Sequence, residues 1–355
     1  MDLQLELITV VIYRKMIDLR SDTITKPCNK MLDAMLKAKV GDDVYGEDPT
    51  VKQLENLVAD YFGMDKAMFF PSGTMANQAA IKLHTNPGNQ VIAHKYSHVY
   101  NYEGGGASFN SGVSFKLLNG EKGVFTKDEL TNAINPKDFY HAPLSKLVSL
   151  ENSTNKGGGY CWDFNDFENI KKICVDNNLG LHMDGARIWN SIIAKNDNPK
   201  LYGSIFDTLS VCLSKGLGCP IGSMLVGKKN FIDKAIRIRK ILGGGMRQVG
   251  YLAAAGLYAI QNNIPRLLID HKRAKEISLN FSSKDFIKTI NDVETNIIIL
   301  EMKESAQKQT IIDYFSKNGI VFDWFSMGPD KIRIVTHLDY SEDNHNYLMK
   351  IIDKL

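Results

Sequence analysis

Short, mostly apolar runs alternate with segments of helical periodicity from about residue 48 to about residue 265, and this alternation restricts the fold more than any other feature. The strand candidates are 67–70, 91–93, 147–150, 179–183, 208–213 and 224–226. None carries a charged side chain, so each needs cover on both sides, as helices give in a largely parallel α/β sheet. The helix signals between them are local and physical. Asp48 before Pro49 reads as an N-cap followed by proline in the first turn. Val51, Leu54, Leu57, Val58 and Tyr61 recur at helical spacing until Gly63 stops the run. A second helix starts near Met75, after Pro71, Ser72, Gly73 and Thr74.

Past about residue 265 the texture changes. A helix at 271–282, a strand at 296–302, a helix at 306–318, strands at 320–324 and 331–336 and a helix at 341–353 describe a second, smaller α/β domain. A chain of 355 residues has room for both. The net charge of +3 is well mixed, which asks for neither a nucleic-acid nor a membrane partner. Cys28, Cys161, Cys174, Cys212 and Cys219 are odd in number and scattered, a pattern of thiols in a cytoplasmic protein rather than of a disulfide framework or zinc site. The first 15 residues have acidic side chains where a signal peptide needs positive ones, and the apolar run 8–13 is too short to span a membrane. They read either as an extra edge strand or as the product of an upstream start preceding Met16.

Polar residues that end apolar strands are the candidates for chemistry, because open α/β sheets place ligands there. Lys215 follows the apolar run 208–213, beside Ser214. A lysine leaving a buried strand loses solvation and becomes a usable amine nucleophile toward a carbonyl, although lysines also snorkel at strand ends. Asp184 ends the run 179–183 and can keep a pyridine nitrogen protonated, or simply cap a turn. Upstream, the strand-to-helix loop 71–77 offers backbone N–H groups, a helix dipole and the hydroxyls of Ser72 and Thr74 to a phosphate, without the lysine of a Walker A loop. His98 can stack on a flat ring or move protons. His94, four residues earlier, lies on a strand rather than a helix, so the pair does not read as a metal site, and no metal is expected. The glycines 243–245 precede Arg247, a candidate phosphate partner. Arg333 alternates with Ile332 and Ile334, so it faces away from the apolar side and can fork onto a carboxylate.

Together, residues 18–23, 41–50, 71–77, 182–187, 213–218 and 243–248 resemble the low-specificity L-threonine aldolases, a fold-type I family dependent on pyridoxal 5'-phosphate (PLP). The resemblance runs from Ile17 to the C-terminus. It implies an aspartate aminotransferase-like large domain over 31–265, a small domain over 266–355 and an N-terminal segment, 1–30, packing near the active site and the small domain. It implies retro-aldol cleavage of L-threonine or L-allo-threonine to glycine and acetaldehyde. Lys215 would carry PLP and Asp184 would pair with its ring nitrogen. Ser72, Gly73, Thr74 and Ser214 would lie at the cofactor, with Arg247 reaching the phosphate from a neighbouring subunit. Arg187 would lie at the phenolate side and near the substrate. Ser21 and Arg333 would hold the substrate carboxylate, and His98 would stack over the ring near the β-hydroxyl. His141 matches a second histidine near that hydroxyl, although 141–146 and 151–155 depart from the family's usual residues. The partners implied are a 3-hydroxy amino acid and further copies of the chain, in a homotetramer with active sites at dimer interfaces. Other fold-type I reactions, β-elimination, racemisation and transamination, use the same lysine and aspartate.

Overall fold

The computed structural model describes residues 16–355; both readings of the N-terminal 15 concern residues outside that range. Two compact units divide the described chain. One is Thr23–Leu268, and the other joins the residues up to Asp22 with Ile269–Leu355.

The larger unit is built on seven strands: β1 (Lys66–Phe70), β2 (Gln90–His94), β3 (Ser114–Leu118), β4 (Ser145–Glu151), β5 (Gly180–Gly185), β6 (Thr208–Cys212) and β7 (Ser223–Gly227). Their order across the sheet is β1-β7-β6-β5-β4-β2-β3. All neighbours run parallel except β7, which is antiparallel to both β1 and β6. Every residue of β2, β6 and β7 is buried, as runs without a charged side chain require. Strand β3 is the one that the apolar pattern misses. It is an edge strand whose residues alternate exposed and half-buried up to Leu118, so it lacks the continuous apolar signal of the others. Register aligns Glu151 with Asp184 and Asp184 with Ser210, which gathers polar side chains at one end of the sheet.

Helix α1 (Pro49–Phe62) starts and stops for the reasons its sequence suggests. The Asp48 carboxylate accepts from the N–H groups of Thr50 and Val51, and Gly63 closes the helix with a φ of 62°. Asp48 does more than cap. Its Oδ2 also accepts from Gly41 N at 3.3 Å and Gly250 N at 2.9 Å, joining the 41–48 loop to the start of helix Gly250–Asn262. A Cβ at position 250 would lie 2.3 Å from Asp48 Oδ1, so only glycine permits the contact.

Glu55 on α1 accepts from Phe69 N at 3.0 Å and so ties α1 to β1. Burial pushes this carboxyl up to about 7 from 4.5, with Asp43 adding to the rise, against the Phe69 hydrogen bond, Arg239 and Lys66. A raised folded-state value means that the stability Glu55 contributes is complete below its unfolded value and lost as pH rises through about 7. Glu55→Gln mimics the protonated form and keeps the acceptor. It is expected to be more stable than the parent by about 2–3 kcal/mol at pH 8, with the gap closing near pH ~4.3. Urea unfolding at the two pH values measures it.

The smaller unit contains an antiparallel sheet in which Ile297–Met302 lies between Lys331–Val335 and Ile287–Ile290. Helices Lys308–Lys317 and Glu342–Asp353 belong to it, and Ile17–Asp18 pairs in parallel with Ile320–Val321. The expected strand at 320–324 is therefore shorter, continued only by an isolated bridge between Asp323 and Arg333. The strand Ile287–Ile290, with two exposed central residues, was not legible as one. Its core joins Ile17 and Leu19 to Phe281, Phe315, Phe322 and Ile334.

Candidate active site

The phosphate-loop candidate follows β1 directly. Ser72 is extended, with φ −148° and ψ 157°, and its Oγ accepts from Met75 N, so it caps helix α2 (Gly73–His84). Accepting that bond leaves the hydroxyl proton of Ser72 available to a ligand. Gly73 opens the helix, and a Cβ built there meets nothing nearer than Ser223 Oγ at 4.0 Å. Open space thus lies over the first N–H groups of α2, which have no partner within the helix. A phosphate fits such a cradle.

Asp184, the penultimate residue of β5, is 3% exposed. Its Oδ1 accepts from Ala186 N at 3.1 Å and its Oδ2 from Asn77 Nδ2 at 2.9 Å. The same Asn77 amide donates to Glu103 Oε1 at 2.9 Å, and Glu103 Oε2 accepts from Gln78 at 2.6 Å. His98 Nδ1 lies 3.0 Å from Glu103 Oε1, and the His98 ring centroid is 5.7 Å from that of Tyr102. Glu151, buried at the end of β4, accepts from His98 N at 2.8 Å and Asn155 N at 2.6 Å, and Asn155 Oδ1 in turn accepts from the buried Arg187 at 3.3 Å.

Three buried carboxyl groups around one imidazole fix its charge preference. Burial pulls His98 down, but the Glu103 hydrogen bond and the charges of Asp184, Glu103 and Glu151 outweigh it and raise its pKa above 6.5. Burial, and then Asp184, raise the carboxyl of Glu151 above its usual value. With Nδ1–H directed at Glu103, Nε2 is the atom through which His98 can exchange a proton. His98, Glu103 and Asp184 bring potential ligand atoms within 4.8 Å of one another, but the Asn77 amide already bridges the two carboxylates.

Lys215 sits three residues beyond the end of β6, the strand next to the one bearing Asp184. Its carbonyl accepts from Thr25 Oγ1 at 3.0 Å and Gly218 N at 2.8 Å, which holds the turn that presents it. Ser214 Oγ lies 3.3 Å from Cys212 Sγ. Arg247 lies 2.9 Å from Asp42 with its side chain 56% exposed. His141 occupies an exposed turn four residues ahead of β4, stacked on Tyr140 at 4.0 Å, and is not among the residues that gather around Asp184. In the smaller unit, Arg333 is buried rather than solvent-facing, with Nη1 donating to Arg20 O at 3.0 Å and 3.6 Å from Asp323, and Ser21 follows Arg20.

Asn77, Glu103 and Glu151 carry much of this geometry, yet none stands out in the sequence. Asn77 and Gln78 lie on the buried face of α2 next to Ala76, Ala79 and Ala80. Two consecutive amides flanked by alanines were the available signal.

The sequence matches the β-eliminating lyase family over residues 18–305. It is 38% identical to a probable low-specificity L-threonine aldolase 2 of Arabidopsis thaliana, over 96% of this chain and 97% of that one. Identity is also 38% to the low specificity L-threonine aldolase of Escherichia coli (strain K12), over 92% and 96% of the two chains. Among solved structures, the Leishmania major threonine aldolase superposes with a TM-score of 0.82 at 18% identity, covering 95% of this chain and 99% of that one. A serine palmitoyltransferase of Sphingomonas wittichii gives 0.74 at 14% identity, covering 96% and 87%.

Proposed function

The chain belongs to the β-eliminating lyase family and to the low-specificity L-threonine aldolases, and from this membership and its site we propose a PLP-dependent aldehyde-lyase that reversibly cleaves L-threonine and L-allo-threonine to glycine and acetaldehyde. One observation carries the reading. The buried Asp184 carboxylate, the lysine beyond the adjacent strand and the open N-terminus of α2 are what a phosphorylated pyridine aldehyde needs from a protein.

Bound PLP supplies an electron sink for the pair released when the Cα–Cβ bond of the substrate breaks. Lys215 supplies the amine that holds the cofactor's aldehyde. Asp184 would pair with the ring nitrogen and keep a proton on it, and Arg187 would serve the phenolate side. Ser72, Gly73, Thr74 and Ser214 take the phosphate. His98 would lie over the ring and would accept the proton of the β-hydroxyl at Nε2. Ser21 and Arg333 would be the groups that orient the substrate carboxylate, which would set the bond to be broken. The chain would act as a homotetramer with active sites at dimer interfaces, in which the exposed Arg247 would reach the phosphate of a neighbouring subunit, and His141 would be a second histidine near the substrate hydroxyl. All five cysteines are free thiols, which supports a cytoplasmic location. Among the described residues, no helix is long and apolar enough to cross a membrane.

Purified protein loaded with PLP is expected to release acetaldehyde from L-threonine and L-allo-threonine, detected with a coupled alcohol dehydrogenase. The description of the matching family favours one second reading, β-elimination; pyruvate from L-serine without acetaldehyde from either threonine would establish that reaction instead. Arg333→Leu removes a forked, charge-assisted contact. It is expected to raise KM for L-threonine about a hundredfold, the equivalent of about 2–3 kcal/mol, while Arg333→Lys recovers only part because a point charge cannot fork.

A further inference from the structure

The amide of Asn77 cannot turn over without cost. Its Nδ2 donates to Asp184 and Glu103, so reversing it would press a carbonyl oxygen against two carboxylates. Its Oδ1 accepts from Ser210 Oγ at 2.5 Å and lies 3.2 Å from His182 Nε2. Nε2 must therefore be the protonated nitrogen of His182. Burial pushes His182 down to about 3, so the ring is neutral and carries one proton only. Its Nδ1 must then accept, and the donor is the hydroxyl of Thr208 at 2.9 Å, since the carbonyl of Thr208, at 3.2 Å, has no proton to give. With its proton committed, Thr208 Oγ1 accepts from His84 Nε2 at 2.9 Å, and burial pushes His84 down to about 4, which keeps that ring neutral as well.

We propose that Asn77 is a positioning residue for the reaction, and that the one-way hydrogen-bond chain His84–Thr208–His182 behind it braces the amide, already oriented by Asp184 and Glu103, in its place against them. The proposal rests on the reading of Asp184 as the partner of the cofactor's ring nitrogen. Thr208, at the start of β6, appears in no direct bond to Asp184, Glu103 or His98, yet its hydroxyl selects the tautomer of His182. The tautomer decides whether Asn77 Oδ1 meets an N–H or a lone pair. The braced amide delivers N–H donors to the carboxylate meant for the ring and to the one that orients His98.

Thr208→Val keeps the shape and removes the hydroxyl. His182 then places its proton on Nδ1, toward the carbonyl of residue 208, and its bare Nε2 faces Asn77 Oδ1, so the amide loses a donor and is pushed off its position while the two carboxylates still hold its Nδ2. In protein selectively labelled with 15N-histidine, the parent is expected to show His182 protonated at Nε2, and Thr208→Val to show it at Nδ1. PLP affinity of the apoprotein and kcat/KM for L-threonine should each fall about tenfold, the effect of one misdirected buried hydrogen bond. Thr208→Ser should restore both.

A parent His182 protonated at Nδ1 overturns the chain, and that measurement needs no variant to fold. A switched tautomer that leaves PLP affinity and kcat/KM unchanged overturns the positioning role. Failure of Thr208→Ser to restore them assigns the effect to packing and overturns it too. If the tautomer and PLP affinity respond as expected but neither threonine is cleaved, the proposed reaction fails while the positioning of Asp184 stands.

Discussion

Lys215→Ala is expected to lower kcat/KM for L-threonine by about four orders of magnitude, the upper range for a group that exchanges protons in the transition state. The loss should be chemical and not structural. The turn at 215 is held through its backbone, by Thr25 Oγ1 and Gly218 N on the Lys215 carbonyl and by Leu213 N on Gly222 O, and alanine keeps all three. Unfolding of the apoprotein in urea should therefore change by no more than about 0.5 kcal/mol. Borohydride followed by denaturation should leave PLP attached to the parent chain and not to the variant. Lys215→Arg should be as inactive as alanine despite keeping the charge, because a guanidinium does not give up its proton and cannot act as the nucleophile. Cleavage of threonine by Lys215→Ala near the parent rate would show that another amine carries the cofactor.

The second large effect is expected at Asp184. Asp184→Asn should lower kcat/KM about a thousandfold, as removing one partner of a buried charge pair costs about 3–5 kcal/mol. Both oxygens of Asp184 accept from donors, Ala186 N and Asn77 Nδ2. An asparagine must therefore turn its own NH2 toward one of them, so PLP affinity should fall along with turnover. Asp184→Glu keeps the charge but moves it by one methylene, and should recover only part of the rate. A PLP dissociation constant unchanged in Asp184→Asn would argue that this carboxylate does not face the cofactor.

Asp184 and Lys215 stood out as candidates in the sequence for one reason: each is the first charged residue after a short, mostly apolar run, and the buried strands of the sheet produce those runs. Strand β3 was not, because an edge strand half-exposed along its length has no continuous run to show. The smaller unit followed the same rule, with Ile287–Ile290 lost for its two exposed residues. Within the site, the sequence showed ends of elements but not the sides that meet. Asn77, Glu103, His182 and Thr208 come from four separate segments, and each is polar in a place where a single residue reads as either exposed or incidental. Their meaning lies in mutual satisfaction of buried donors and acceptors, which exists only once the strands are in register. Arg333 shows the converse. Its alternation with isoleucines located its face correctly, but only the fold shows that this face is covered and that Asp323 and the carbonyl of Arg20 lie against it.

The sheet order has a consequence for how the protein is made. Strand β1, which leads into the phosphate cradle, pairs with β7 and with no other strand, and β7 is the last of the seven to leave the ribosome. The parallel strands β2 to β6 can associate as they emerge, but β1 must wait, unpaired, until the chain has been synthesised past Gly227. PLP supplied during translation therefore has no complete cradle to enter until then, and a chain stalled before that point should neither bind the cofactor nor protect the edge of β6.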